Sequence, residues 1–198
     1  MSAANVLLKP EECAMLLVDF QAGLGFGVES IPRQLVVNNA VGLARTAVAF
    51  KVPVIASTSA SRVYSGPLLP ALQEALPAVK PIERRSMNVW EDDTARNAVV
   101  ATNRRRLIIA GFLTEACVSF PALSALKDGF EVFVVGGRLR RLDPTKPRTR
   151  PPKIGQAGYR FFWNSSVTGP ATKRTRPREL LLWRMAEAME WVSRTRER

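Results

Sequence analysis

The sequence predicts a three-layer α/β fold, with helices on both faces of a central parallel sheet. Short apolar runs without helical periodicity, typical of strands buried on both faces, alternate along the chain with segments whose apolar residues recur at helical spacing. A chain of 198 residues is long enough for one hydrophobic core and short for two. We therefore expect a single domain over residues 1–198, with a regular core at 14–135 and an atypical region at 136–198.

The first half of the chain predicts a βαβ unit followed by a short helix. AMLLVDF (14–20) is an apolar run that ends beside an acidic residue, and VPVIAS (52–57) is a second apolar run. Between them, QLVVNNAVGLARTAVAF (34–50) carries apolar residues at helical spacing. Prolines bound GPLLPALQEALP (66–77), which indicates a short helix.

The second half continues the alternation as far as Val135. TARNAVVATN (94–103) predicts a helix and RRLIIAGF (105–112) a third strand. ACVSFPALSALKDGF (116–130) predicts a helix that ends near a glycine, and EVFVV (131–135) predicts a fourth strand. Strands joined through helices in this way pair in parallel.

The composition excludes several classes of site. Histidine is absent, so Ser-His-Asp chemistry, Cys-His chemistry and zinc sites with His ligands are excluded. Two cysteines make no disulfide framework, which predicts a reducing cytoplasm. No apolar run reaches the ~18–20 residues of a membrane span, and MSAANVLLKPEE lacks a secretory pattern. We expect no membrane partner.

The net charge of +12 belongs to the C-terminal third. Residues 1–135 hold 13 Lys and Arg against 12 Asp and Glu, whereas residues 136–198 hold 16 against 5. In that region GYRFFW (158–163) is a candidate strand and ELLLWRMAEAMEWV (179–192) a candidate helix. The aromatic residues cluster instead of alternating with basic ones, and no RNA-binding motif is present. Nucleic acid is therefore not an expected partner.

Polar residues near the carboxyl ends of the predicted strands form a candidate site. Asp19 ends the first strand, Cys117 opens the helix after the third, and Arg84 lies in the loop 81–90. A thiol in a first helical turn is stabilised as the thiolate, and a nearby arginine lowers its pKa further. A carboxylate can then move the proton, while backbone N–H groups hold an oxyanion.

Each of these residues also has a structural interpretation. Taken alone, Cys117 is typical of a small core residue, Asp19 of a turn cap and Arg84 of a solvated surface charge. Cys13 precedes the first strand without a basic partner nearby, and we interpret it as structural.

Three segments resemble the isochorismatase-like cysteine hydrolases, specifically their YcaC-like branch. They are LLVDFQAG (16–23), IERRSMNVW (82–90) and LIIAGFLTEACVSFPALSALKDGFEVFVV (107–135). The resemblance covers about residues 14–135 and is most specific in GFLTEACVSFPALSAL (111–126). It implies the Rossmann-like fold of that family, a small-molecule substrate and a closed homo-oligomer. It also implies chemistry without a cofactor or a metal.

The resemblance also implies roles for single residues. Cys117 matches the nucleophile, Asp19 the acid/base carboxylate and Arg84 the basic position, for which Arg85 is an alternative. The positions that match the oxyanion hole are Leu113, Thr114 and Cys117, at a peptide bond that is cis in the family. The substrate-binding positions are Gln21, Asn88 and Trp90.

These roles imply a hydrolase that acts on an amide-like C–N bond, with a substrate that the sequence does not reveal. Cys117 attacks the carbonyl carbon, Asp19 accepts the thiol proton, and water releases the acyl group. The alternative is a catalytically silent family member whose basic C-terminal region binds polyanions or is disordered.

The segment GGRLRRLDPTKPRTRPPKIGQAG (136–158) departs from the family pattern. Permitted codons for residues 137–144 and 147–151, read one base later, encode Asp-Ala-Ser-Gly-Gly-Ser-Thr and His-Glu-Arg-Ala-Leu, which the family has at these positions. We therefore expect about 137–154 to be an out-of-frame segment between compensating shifts, and a native basic segment is the alternative. In-frame codons that permit no such shifted reading would exclude the first explanation.

Overall fold

A sheet of six parallel strands forms the centre of the molecule, in a computed structural model that describes residues 8–27, 32–136 and 160–163. The strands are β1 (Cys13–Val18), β2 (Val54–Ser59), β3 (Ile82–Arg84), β4 (Arg106–Gly111), β5 (Glu131–Gly136) and β6 (Arg160–Trp163). Their order is β3-β2-β1-β4-β5-β6, and every neighbouring pair is parallel. The predicted α/β fold with a parallel sheet is confirmed.

Helices connect the strands and cover the two faces of the sheet. They are α1 (Ala22–Gly25), α2 (Arg33–Ala49), α3 (Pro70–Ala75), α4 (Asp93–Val100) and α5 (Ser119–Lys127). Two 3-10 turns (Pro10–Glu12 and Val89–Glu91) and one π-helical turn (Thr114–Val118) complete the described elements. The predicted helix 179–192 and the segment 137–154 lie outside the residues that the structure describes.

The structure differs from the predicted elements in two places. Residues 82–84 form the short edge strand β3, where the sequence predicted a loop. Its pairing with β2 joins residues about 25 positions apart, which local periodicity does not reveal. The predicted helix at 116–130 begins instead as the π-helical turn, and regular helix starts only at Ser119.

Strand β1 is the centre of the core, and all six of its residues are buried. Ala14, Leu16 and Val18 face one layer with residues of α4 and α5, whereas Met15 and Leu17 face the other layer with residues of α2 and α3. Each fully buried aliphatic side chain contributes about 1.5–3 kcal/mol to folding. Burial on both faces explains why the strand has no polar alternation.

The strand order reverses between β1 and β4, since β2 and β3 extend the sheet on one side and β5 and β6 on the other. In open parallel sheets this reversal opens a crevice at the carboxyl ends of the strands. Gly111 lets the two strands approach there, because a Cβ at this position would lie 2.7 Å from the carbonyl oxygen of Val18. The segments that follow β1 and β4 therefore meet at one edge.

Candidate active site

Asp19 follows β1 directly and is buried at the crevice. Its backbone has a φ of +56°, a left-handed conformation that non-glycine residues adopt rarely and at a cost of about 1–2 kcal/mol. Its N–H donates to the carbonyl oxygen of Ser57 at 3.0 Å, which fixes this turn against β2. Backbone strain held in place in this way is frequent at functional sites.

Arg84 is the last residue of β3 and forms a fully buried ion pair with Asp19. Nη1 donates to Oδ1 at 2.5 Å and Nη2 donates to Oδ2 at 2.7 Å, a bidentate arrangement. The interpretation of Arg84 as a solvated surface charge is wrong, because pairing of β3 with β2 turns this side chain inward. Arg85 is exposed, so Arg84 is the arginine that reaches the carboxylate.

The Arg84 guanidinium makes two further hydrogen bonds, one to β2 and one to the segment after β3. Nη1 also donates to the Ser57 hydroxyl at 3.2 Å, and Nη2 donates to the carbonyl oxygen of Met87 at 3.0 Å. Nε is buried and has no hydrogen-bond partner in the described part of the chain. Burial works to lower the pKa of Arg84, but its hydrogen bonds to Asp19 and the charge of that residue outweigh burial and raise it.

Cys117 lies in the π-helical turn after β4, with 6% of its surface exposed. Burial raises the pKa of its thiol to about 12, and a hydrogen bond to Asp19 and the negative charge of that residue add to the effect. Arg84 and the N–H of Cys117 itself act in the opposite direction without prevailing. The expected lowering of this pKa is therefore wrong for the site without substrate, where burial and the Asp19 carboxylate both favour the neutral thiol.

Cys13 lies at the other end of β1 and is fully enclosed by the sheet and its helices. Burial raises the pKa of this thiol to about 11, and Arg106 offsets that effect only in part. These features agree with the structural role that the sequence predicts for Cys13.

The backbone around Leu113 and Thr114 folds as part of the π-helical turn. The carbonyl oxygen of Leu113 accepts the N–H groups of Ala116 and Val118, both at 3.3 Å. The expected cis peptide at Leu113–Thr114 is wrong, since the described residues contain no cis bond. The wide turn connects β4 to α5 through a trans bond at this position.

Gln21 supports the backbone around the crevice. Its Nε2 donates to the carbonyl oxygens of Ser59, at 3.0 Å, and Gly66, at 2.5 Å, while its Oε1 accepts the N–H of Ser59 at 2.9 Å. The side chain is completely buried, so these bonds engage both ends of its amide. The structure thus places Gln21 as a brace between β1 and the loop after β2.

Asn88 and Trp90 occupy different surroundings. The Asn88 amide accepts the N–H of Trp90 at 3.1 Å and donates to the Ser124 hydroxyl, also at 3.1 Å. The Trp90 ring is buried against Phe130, and its indole N–H donates to Asp128 at 2.7 Å. Asn88 therefore lines a surface groove beside α5. Trp90 is instead a core residue, and it anchors the segment that follows β3.

A groove with a volume of about 290 Å³ runs between the segment after β3 and α5. Both apolar and polar side chains line it, namely Met87, Asn88, Glu91, Phe120, Leu123 and Ser124. The groove adjoins the ion pair through Met87, whose carbonyl oxygen accepts from Arg84.

Ser57 is a residue of the site that sequence reasoning missed. It is the polar end of the run VPVIAS and is fully buried in β2, where its hydroxyl and carbonyl groups contact Arg84 and Asp19. The sequence signal for this residue was a hydroxyl in an otherwise apolar buried strand. Such a hydroxyl indicates a buried polar partner nearby, because burying it without one is unfavourable.

The described residues contain no group of three or more His, Cys, Asp or Glu side chains placed to hold a metal ion. None of their helices is long and apolar enough to cross a membrane.

Comparison with known proteins gives one consistent family. The family model described as the isochorismatase domain matches residues 13–137. The curated protein "Probable hydrolase YcaC" of Escherichia coli (strain K12) is 35% identical over an alignment of 185 residues, which covers 87% of this chain and 89% of that protein.

Solved structures agree with this match. The YcaC gene product of Escherichia coli, described as an octameric hydrolase of unknown specificity, has a TM-score of 0.63 at 34% identity, over 92% of this chain and 75% of that one. YcaC from Pseudomonas aeruginosa, with hexane-2,5-diol and covalent acrylamide, has a TM-score of 0.70 at 31% identity, over 96% and 97%. The nicotinamidase SaPncA from Staphylococcus aureus, 17% identical with a TM-score of 0.54 over 63% and 81%, shares the fold.

The fold and these matches define the class: the chain belongs to the isochorismatase family. Within that family it is a hydrolase similar to the YcaC proteins of Escherichia coli and Pseudomonas aeruginosa.

Proposed function

We propose that this protein hydrolyses an amide-like C–N bond of a small molecule, with Cys117 as nucleophile and Asp19 and Arg84 as its partners. The observation that carries the proposal is the buried bidentate ion pair between Asp19 and Arg84, coupled to a thiol. Removing both charges from water costs several kcal/mol per ion, so such a pair is poor support for stability alone. Its contact with a thiol at the carboxyl ends of the strands favours a catalytic role.

The proposed reaction starts from the neutral thiol. As the Cys117 sulfur bonds to the carbonyl carbon, its proton passes to Asp19 and the carbonyl oxygen becomes an oxyanion. When the C–N bond breaks, Asp19 returns that proton to the leaving nitrogen and a thioester remains. A water then attacks the thioester and gives a proton to Asp19, which passes it back to the sulfur as the acid leaves.

Arg84 keeps positive charge beside the atoms that become negative. The pair with Asp19 holds its guanidinium in place before the substrate binds, so no reorganisation is needed during the reaction. The N–H of Cys117 and the predicted positions Leu113 and Thr114 supply the proposed oxyanion hole. This assignment follows from the chemistry, because the carbonyl carbon bonds to the Cys117 sulfur and its oxyanion then lies two bonds away, close to the backbone of the same residue.

The groove beside the ion pair is the proposed site for the rest of the substrate. Asn88 lines it together with apolar side chains of α5, which suits a small molecule with both polar and apolar parts. In this proposal Gln21 and Trp90 do not contact the substrate. Gln21 holds the loop after β2 in place and Trp90 holds the segment after β3. We also infer a homo-oligomer, because the similar YcaC gene product of Escherichia coli is octameric.

The test combines acrylamide labelling with hydrolysis of a panel of small amides. Acrylamide is a thiol-reactive electrophile, and the Pseudomonas aeruginosa YcaC structure contains it in covalent form. We expect acrylamide to modify Cys117 in the native protein, Cys13 only after unfolding, and ammonia release to stop in Cys117→Ala while it persists in Cys13→Ala. Equal slow labelling of both thiols, or hydrolysis that survives Cys117→Ala, contradicts the proposal.

A further inference from the structure

Ser57 contacts both members of the buried ion pair. Its hydroxyl accepts a hydrogen bond from Arg84 Nη1 at 3.2 Å and donates one to the carbonyl oxygen of Ile82 at 3.2 Å. Its own carbonyl oxygen accepts the N–H of Asp19 at 3.0 Å. Through this one residue, β2 holds the turn after β1 and the arginine at the end of β3.

Four of the five N–H groups of the Arg84 guanidinium have a hydrogen-bond partner among the described residues, and the fifth has none. A guanidinium carries five N–H groups in a rigid planar fork. Two of those of Arg84 bind Asp19, one binds the Ser57 hydroxyl and one binds the Met87 carbonyl oxygen. The fifth, on Nε, is buried without a partner in the described residues, and a buried donor without a partner is costly.

We propose that Ser57 is a positioning residue, which sets the plane of the Arg84 guanidinium so that Nε–H stays available to the negative charge formed at Cys117. This inference rests on the proposed function. Because the fork is planar, fixing four of its N–H groups also fixes the direction of the fifth. A hydroxyl is needed at position 57, since packing alone would be served by an apolar side chain in this buried strand.

The matched variants Ser57→Val and Ser57→Thr test the role of the hydroxyl. Valine and threonine have nearly the same shape, so any strain from the added methyl group is common to both. The full-length variants are labelled with acrylamide at pH 9, and the rates at Cys117 and Cys13 are read from their separate peptides. Thr46→Val serves as a control, because it removes a buried hydroxyl that donates to the carbonyl oxygen of Gly42, one turn earlier in the same helix α2.

We expect Cys117 to be labelled about tenfold more slowly in Ser57→Val than in Ser57→Thr, the effect of one hydrogen bond to a charged group. Cys13 labelling stays slow in both variants, and Thr46→Val leaves the rate at Cys117 unchanged. A merely structural role has the opposite signature, because loosening of the fold exposes both thiols and speeds their labelling.

Three results overturn the inference. Equal rates at Cys117 in Ser57→Val and Ser57→Thr show that the hydroxyl does not position Arg84. Faster labelling of both thiols in Ser57→Val assigns the hydroxyl to stability. Wild-type Cys117 that reacts no faster than Cys13 removes the proposed function as well, whereas the first two results leave that function intact.

Discussion

Asp19→Asn is the substitution that best separates the two effects of Asp19 on Cys117. The carboxylate raises the pKa of the thiol, yet the proposed mechanism needs the same carboxylate to take the thiol proton. Asparagine has almost the same shape and tolerates the left-handed backbone found here, with its φ of +56°. The variant keeps the shape and the backbone conformation of this position, but it leaves Arg84 buried without its charged partner. Labelling of Cys13 in the same variant therefore serves as the control for loosening of the fold.

The expected magnitude follows from the contributions to the Cys117 pKa. Burial is the largest cause of its rise from 9.0 to about 12, followed by the hydrogen bond and the negative charge of Asp19. Asp19→Asn removes the charge and leaves Arg84 unneutralised beside the sulfur. We expect the pKa of Cys117 to fall by at least about one unit, and one unit corresponds to about 1.4 kcal/mol and a tenfold larger thiolate fraction.

The assay measures two rates that should move in opposite directions. Acrylamide labelling of Cys117 at pH 9 is expected to rise about tenfold or more in Asp19→Asn, because the thiolate is the reactive form. Hydrolysis of the best amide in the panel is expected to fall about 10²- to 10⁴-fold, because the acid/base group is lost. Asp93→Asn is the matched control, since Asp93 is exposed and pairs with Arg96 on the surface.

Labelling of Cys117 that is unchanged or slower in Asp19→Asn would refute the coupling between this carboxylate and the thiol. Hydrolysis that persists at the wild-type rate would refute Asp19 as the proton acceptor.

Three other predictions concern stability, measured by urea unfolding. The pKa values of Cys13 and Cys117 are about 11 and about 12 in the folded protein, against 9.0 for a free thiol. As the pH rises, the unfolded chain therefore loses these two protons before the folded protein does, and the free energy of unfolding falls above pH 9. The loss reaches roughly 1 kcal/mol per thiol at pH 10, so the double alanine variant should lose roughly 2–3 kcal/mol less between pH 8 and 10 than the wild type. Arg84→Met should lower the free energy of unfolding by about 3–5 kcal/mol, because it leaves Asp19 buried without its partner. Gly23→Ala should lower it by about 1–3 kcal/mol, since the new Cβ would lie 2.3 Å from a backbone oxygen in the loop after β2.

Each of these stability predictions has its own control. An equal alkaline loss in the wild type and the double alanine variant would exclude the thiols as its cause. Adding Asp19→Asn to Arg84→Met should recover part of the lost stability, and no recovery would contradict the argument from the unpaired charge. Gly27→Ala is the control for Gly23→Ala, because a Cβ there meets its nearest neighbour at 3.6 Å and should cost little.

The sequence by itself determined the strand–helix alternation and the positions of Asp19 and Cys117 near the carboxyl ends of two strands. These features depend on local periodicity, which apolar runs such as 14–20 and 107–110 express directly. The motif around Cys117 was also enough to identify the family.

Only the tertiary structure decided how the residues of the site act on one another. The ion pair joins Asp19 and Arg84 across 65 positions, and it exists because the edge strand β3 pairs in register with β2. The rise of the Cys117 pKa depends on burial and on a carboxylate almost a hundred residues away, which no local pattern encodes. Gln21 and Trp90 likewise became braces of the surrounding loops because their partners, at Gly66 and Asp128, lie far along the chain.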